Sequence, residues 1–324
     1  MSKKITLLAL ALVASSYAFS QVNSDQVERL KDTTNLSEVI INQNRLQIPF
    51  TKQTRNIQII TQEDIKRLPA RSVNELLAYI NGVDIRQRGP FGSQADVNID
   101  GGSFEQTLIL LNGAKISDPQ TAHHSLNLPI PTEAIERIEI IKGAKSAAYG
   151  QSEGGVINII TKKSADAGEL QLTTGNNDRR QYIFNYGVQT DKLGFRVYAN
   201  KSEQDAYLRN SDYDNEQTGI NLNYKLSQTD SLRFNYDHQQ LKRGLVIANN
   251  TSNFDSRYPI SSGDTFANSN AAPGDGSYTK IYRNNFNVTW NSDRDNGSDS
   301  LTYWKNYEKQ REHNVNAGKV MFDR

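Results

Sequence analysis

Glycine beside lysine and a hydroxyl is the raw material of a phosphate-binding loop. The chain offers it at Gly143-Ala144-Lys145-Ser146 and again, as a glycine pair, at Gly154-Gly155. Such a loop needs an order: a strand, a turn ending Gly-Lys-Ser/Thr, then a helix whose N-terminal amides meet the anion. Here the first glycine of the pattern falls at Ile138, and Gly150 interrupts any helix that follows. The pair at 154–155 runs into Val156-Ile157-Asn158-Ile159-Ile160-Thr161, a β-branched stretch that reads as a strand. The order argues against nucleotide binding. The glycines read instead as a tight turn into that strand, and Lys162-Lys163 lead out of it.

Histidine is the next chemistry-bearing type. His123-His124 stand together after Asp118-Pro119-Gln120-Thr121, but neighbours on one loop rarely chelate an ion alone, and no spaced carboxylate or cysteine completes a site. A ligand-facing loop and a structural one are the two readings. Asp205, Asp212, Asp214 and Glu216 cluster between apolar segments. They read either as solvated loop acids or as a hard-oxygen calcium site, structural in role, although the spacing is not that of an EF-hand. No other cofactor is required. There is no Gly-x-Ser-x-Gly elbow and no His-Glu-x-x-His helix, so nothing in the sequence argues for an enzyme.

The balance of charge narrows the partners. Thirty-seven basic residues oppose 36 acidic ones, so no global field favours nucleic acid. The absence of cysteine removes disulfides and thiolate metal sites. The first 20 residues have the form of a signal peptide: basic Met1-Ser2-Lys3-Lys4, an apolar stretch over 5–14, and small residues at Ala18 and Ser20. Export is therefore expected. No later segment approaches the roughly 20 apolar residues of a spanning helix. If the mature chain enters a membrane, strands must carry it.

Residues 55–163 mix α and β patterns, as a small α+β domain does. Asn56–Ile60 reads as a strand, and Thr61 with Asp64 caps a short helix. Ser72 and Glu75 form a second capping box opening a helix over 73–80, which Gly82 ends. Strands are expected at 83–86, 96–100, 107–111, 137–141 and 156–161, with Asn112-Gly113 as a hairpin turn. From 167 to 324 the texture changes to period-two alternation, clearest at Tyr182, Phe184, Tyr186 and Val188, and at Leu232, Phe234 and Tyr236. Short links at 190–193 and 227–230 alternate with longer ones at 204–216 and 241–280. An outer-membrane barrel has this rhythm, with polar lumen positions that explain a mean hydropathy of −0.67. A secreted β-sandwich also alternates; the signal peptide and the long/short rhythm favour the barrel.

Residues 21–54 are polar except for one apolar knot around Ser37, Glu38, Val39, Ile40 and Ile41. It reads either as an incidental sticky patch in a linker or as a peptide that adds a strand to a partner's sheet edge.

Taken together, these segments resemble the TonB-dependent outer-membrane transporters, cobalamin and siderophore receptors among them. Leu36–Asn42 looks like the TonB box. DVNIDGGSFEQTLILLNGAKISDP looks like the central plug motif, and PIPTEAIERIEIIKGAKSAAYGQSEGGVINIITKK like the motif that closes the plug. Asp100 stands where the family commonly has Arg. The resemblance implies an α+β plug domain followed by an antiparallel transmembrane β-barrel of about 22 strands. The residues after 167 suffice for roughly seven or eight of them, so the barrel is expected to be incomplete in this chain, which reads as part of a longer protein or a truncated frame. The implied function is TonB-dependent uptake of a scarce large ligand, iron-siderophore or cobalamin in type. The implied partners are the TonB energy-transducing protein with its inner-membrane motor, outer-membrane lipid, and a small-molecule or metal-chelate ligand. The box residues Ser37–Ile41 would bind TonB. The apical plug residues Arg86, Arg88, Phe91, Gln94, Asp118, Gln120, Thr121, His123 and His124 would meet the ligand.

Overall fold

The structure is a computed structural model and describes residues 40–43, 46–49, 57–87, 89, 91–116, 118, 122–143, 154–206, 210–245, 276–294, 297–314 and 319–323. Near the N-terminus, β1 (Ile40–Gln43) pairs with β2 (Leu46–Pro49) in a small sheet of their own.

The mixed region begins with β3 (Ile57–Thr61). Thr61 ends it and caps α1 (Gln62–Arg67), its hydroxyl accepting from the Asp64 amide at 3.2 Å while the Asp64 carboxylate accepts from the Thr61 amide at 2.9 Å. That is the expected capping box. The second box is only half formed. Ser72 does accept from the Glu75 amide (3.3 Å), but the Glu75 carboxylate turns back to the Arg71 amide (2.7 Å). The helix it opens, α2 (Val73–Leu77), is shorter than the 73–80 expected, because 78–82 turn into β4 (Val83–Gln87).

β4 pairs with β5 (Ala95–Ile99) as a separate hairpin. The remaining strands are β6 (Thr107–Leu111), β7 (Ala114–Ile116), β8 (Ile135–Lys142) and β9 (Gly155–Thr161), which with β3 form a sheet ordered β3-β8-β9-β6-β7. Asn112 and Gly113, both at positive φ (53° and 81°), make the tight turn between β6 and β7. β9 is buried at every position, which is why its sequence reads as a nearly continuous apolar run rather than an alternation. Its one amide, Asn158, donates to Glu139 (3.1 Å) and accepts from the Gly113 amide (3.2 Å), while Arg137 donates to Glu139 at 2.9 Å. A buried carboxylate in this core is thereby fully engaged. Gly155 opens β9 at φ 148°; a Cβ there would lie 2.8 Å from the Ile141 carbonyl and 2.9 Å from Ile99. The glycine permits close approach of backbone to backbone, not contact with an anion.

Eight antiparallel strands follow in sequence order: β10 (Ala167–Gly175), β11 (Arg179–Gln189), β12 (Leu193–Gln204), β13 (Tyr213–Lys225), β14 (Asp230–Gly244), β15 (Tyr278–Arg294), β16 (Gly297–Asn314) and β17 (Lys319–Asp323). Tyr182, Phe184, Tyr186, Ile220, Tyr224, Tyr236, Leu301, Tyr303 and Tyr307 project from one face and are exposed. So large an uncovered apolar face is rare on a water-soluble domain and is what lipid covers. The other face is polar yet buried, with Asn185, Asn200, Asn221, Asn235, Gln239, Asn285 and Asn287 turned toward the mixed domain.

The links differ between the two ends of the sheet. Those at 190–192 and 226–229 are short, and those at 205–212 and 245–277 are longer; a tight turn at 176–178 shares the longer end. The expected loop at 204–216 is shorter because β13 starts at Tyr213. β15 and β16 were not legible as alternating segments, since Lys305, Lys309 and Arg311 stand among Leu301, Tyr303 and Tyr307 on the outward face of β16.

Candidate functional site

The mixed domain meets the polar sheet face through side chains that reach from strand to loop. The loops concerned lie toward the end with the longer connections. In the first, Phe91 packs on Tyr213 of β13 with ring centroids 4.5 Å apart. Gly92 sits at φ 74°, where a Cβ would press within 2.8 Å of Leu241. Ser93 accepts from Arg243 at 3.4 Å, and the Gly92 carbonyl accepts from the Asn127 amide at 3.1 Å.

The second loop is knit to itself. The Asp118 amide donates to Ser125 Oγ (3.1 Å), which donates to the Ala122 carbonyl (2.8 Å). His123 Nδ1 pairs with the Asp96 carboxylate, and its ring stacks on Phe104 at 4.6 Å. His124 is buried, with its Nδ1 3.0 Å from the Asn127 side-chain amide.

Arg283 of β15 holds this loop to the barrel. It is almost fully buried, donates to the carbonyls of His124 (3.1 Å) and Asn127, and forks onto Glu308 of β16 at 2.6 and 3.0 Å. Further strand side chains grip the same domain: Gln217 on the Leu128 carbonyl (2.8 Å), Arg196 on the Lys163 carbonyl (2.9 Å) and Asn306 on the Lys115 carbonyl (2.6 Å). Donors from the strands meeting backbone acceptors make this a polar interface. A cavity of about 50 Å³ lies between Phe91, Asn127, Tyr213 and Gln239. It has room for a water or two and no chelate.

Comparison with known proteins bears on the same regions. Residues 49–157 match the TonB-dependent Receptor Plug Domain. Over 307 residues the chain is 29% identical to the ferric enterobactin receptor of Pseudomonas aeruginosa, an alignment covering 83% of this chain and 40% of that protein. Over 214 residues it is 29% identical to the vitamin B12 transporter BtuB of Vibrio cholerae, covering 61% of this chain and 33% of that one. Residues 49–157 are a plug domain of the TonB-dependent receptor kind, and beyond it the chain is similar to receptors of that family.

Solved structures agree on the fold. The ferripyoverdine receptor of the Pseudomonas aeruginosa outer membrane superposes with a TM-score of 0.67 at 15% identity, covering 87% of this chain and 38% of that one. The siderophore receptor PiuA from Acinetobacter baumannii does so with 0.63 at 17%, covering 82% and 38%. The receptor resides in the outer membrane, with a plug followed by barrel strands, and the chain spans about 40% of the first curated relative's length.

The residues assigned to the site from sequence lie as follows. In the receptor's plug, Arg86 is exposed and ion-paired with Asp84 (2.8 Å), while Phe91, Gln94 and His123 are half-buried and Asp118 and His124 buried. Arg88, Gln120 and Thr121 lie outside the described residues, as do Ser37, Glu38 and Val39; Ile40 and Ile41 are in β1. Asp214 and Glu216 stand on one face of β13 and both take the Lys201 ammonium, the latter at 2.7 Å. Asp205 and Asp212 lie in the connection beyond, and among the described residues no group of three or more His, Cys, Asp or Glu could hold a metal. Asp100, at φ 48°, pairs with Lys142 at 3.5 Å, so the acid at this family-divergent position is matched by a cation.

Arg283, Gln217 and Arg196 were missed in the sequence. The available signal was phase: each lies on the inward parity of its strand, opposite to Tyr282, Ile220 and Val197.

Burial, with Arg243 and Arg283 nearby, pulls the His124 imidazole down from 6.5 to about 4. In the unfolded chain the ring takes a proton near 6.5 that the native state refuses until about 4. The stabilisation is therefore complete above pH 6.5 and is lost as pH falls toward 4, a change of about 3 kcal/mol. We expect the receptor's denaturation midpoint to drop between pH 7 and pH 4.5, and His124→Gln to remove much of that slope. An identical slope in the variant would count against this assignment. Glu133, raised by burial, works in the opposite sense, so the difference between the two proteins is the quantity to read.

Proposed function

We propose that the receptor imports a scarce, large ligand of the iron-siderophore or cobalamin type by TonB-dependent transport. The observation that carries this reading is the hold of Arg283 on the carbonyls of His124 and Asn127. It ties a plug loop at the outer end directly to barrel strands, so a ligand touching both shifts the balance between seated and released plug. Only differential affinity for the two states can do this. The outer surface of the plug, around Arg86 to Gln94 and Asp118 to His124, is the ligand seat in this reading, since the cavity beneath is too small.

On the periplasmic side Ser37 to Ile41 add as a strand to TonB. Backbone bonds there give affinity and alternate side chains give register. That Ile40 and Ile41 already adopt strand geometry supports the assignment. Force on this segment then remodels the plug. In this reading the energy is supplied from the inner membrane through TonB.

In cells carrying the full-length receptor, Val39→Pro or Ile40→Pro removes a donor from the strand ladder. Uptake should fall to background while ligand still binds at the surface. Undiminished uptake would remove the segment from the mechanism. Growth on cobalamin against growth on chelated iron then separates the two ligand types.

A further inference from the structure

The plug loop Phe91–Ser93 rests on the last register pairs of β13 and β14. Tyr213 and Arg243 stand opposite each other where that ladder ends, and Leu241 precedes Arg243 by two residues on the same face. Phe91 takes Tyr213, Gly92 takes Leu241 and Ser93 takes Arg243. Strand ends open before strand centres, because a terminal pair has ladder neighbours on one side only. A support built on such a pair stays in place only if the sheet is closed beyond it.

Asn210 supplies the closure. Its side-chain amide donates to the Leu245 carbonyl, just past β14, and to the Ser277 carbonyl, just before β15, at 2.7 Å each. An amide nitrogen has two hydrogens, and both are used. The Leu245 amide donates to the same Ser277 carbonyl at 3.0 Å, and the Gly244 amide donates to the Asp212 carbonyl at 2.8 Å. Ser211 and Ser277 are both buried. One residue, three positions before β13, thus ties together the outer ends of β13, β14 and β15.

The residue type is matched to the place. Asn210 stands at φ 56°, a left-handed conformation that asparagine and glycine adopt and most other residues resist. Gly244 makes room for its backbone, since a Cβ there would overlap the Asn210 carbonyl oxygen. Glycine at 210 would keep the turn and lose the amide. Aspartate would keep the shape and set a carboxylate against two carbonyl oxygens.

We infer that Asn210 is a positioning residue for the ligand seat: by closing these three strand ends it fixes the Tyr213, Leu241 and Arg243 side chains that carry the plug loop Phe91–Ser93. The seat is that of the import reading above. The measurement that follows needs neither ligand nor TonB, so the two can fail separately.

The test is amide hydrogen exchange of the full-length receptor in detergent, read residue by residue. Leu245 reports the strand ends, and Ala95, whose amide donates to the His123 carbonyl at 3.0 Å just after the plug loop, reports the seat. Lys225, bonded to the Lys192 carbonyl at 2.8 Å beside the short links, is the control. In Asn210→Gly both Leu245 and Ala95 should exchange about tenfold faster, as the loss of hydrogen bonds of ordinary net strength implies, with Lys225 unmoved. Asn210→Asp should exchange faster still at the same two amides. Coupling is reciprocal, so Phe91→Ala should also speed Leu245. An unchanged Ala95 in Asn210→Gly would confine the clamp to the rim and overturn the inference. Equal acceleration at Lys225 would overturn it as well, since the whole barrel would then have loosened. Should neither variant at 210 fold, an unmoved Leu245 in Phe91→Ala still overturns it.

Discussion

Replacing Arg283 with Met is expected to cost the receptor about 3–5 kcal/mol of stability, because it strands a buried carboxylate. Glu308 has a side chain only 9% exposed, and its charge is met by the Arg283 fork at 2.6 and 3.0 Å. The same guanidinium satisfies the His124 and Asn127 carbonyls, so its loss also leaves two backbone acceptors without that donor. Met fills similar volume, which isolates the electrostatic loss from a packing one. Glu308→Gln should cost clearly less, since the amide still offers an oxygen to Arg283. Guanidinium unfolding of the refolded full-length receptor measures both. A Met variant no less stable than the Gln variant would mean that the pair is not what seats the loop. If the loop is loosened, ligand affinity should fall with it.

The second large effect is expected from a single methyl group. Tyr198 of β12, Gly219 of β13 and Asp237 of β14 are neighbours in register. The Tyr198 ring lies flat across Gly219, packs into the plug core and donates its hydroxyl to Asp237. A Cβ on Gly219 would fall inside the space of that ring, 2.6 Å from Cε1 and closer still to Cζ and Oη. Gly219→Ala must therefore eject Tyr198 from the core and leave Asp237, which is fully buried, without its donor. Loss of a large buried side chain alone costs about 3–5 kcal/mol. Glycine covered by a cross-strand aromatic is a recognised device for pinning strand register. A double-mutant cycle checks the cause. Once Tyr198 is already Ala, adding Ala at 219 should cost almost nothing more, whereas equal and additive losses would mean that the ring and the glycine act independently.

These two sites show where sequence reading stops. Thr61 with Asp64, and Asn112 with Gly113, were legible because capping and hairpin turns are fixed by residues a few positions apart. The strand at Val156 to Thr161 was legible from β-branched content. The glycines before it read as a turn; the structure places Gly155 inside β9, where the Ile141 carbonyl and Ile99 crowd the backbone. Ser72 and Glu75 match the capping pattern, and yet Glu75 chooses the Arg71 amide, because a carboxylate has several donors in reach and local spacing does not rank them.

Period and local chemistry thus determined, from the sequence alone, the α+β plug and the alternating strands after 167. Both follow from interactions within one turn or one strand. Only the tertiary structure decided which inward residue meets which loop. Arg283 finds the carbonyls of His124 and Asn127, and Tyr198 reaches over Gly219, because register brings distant positions together, and register is a property of the whole sheet.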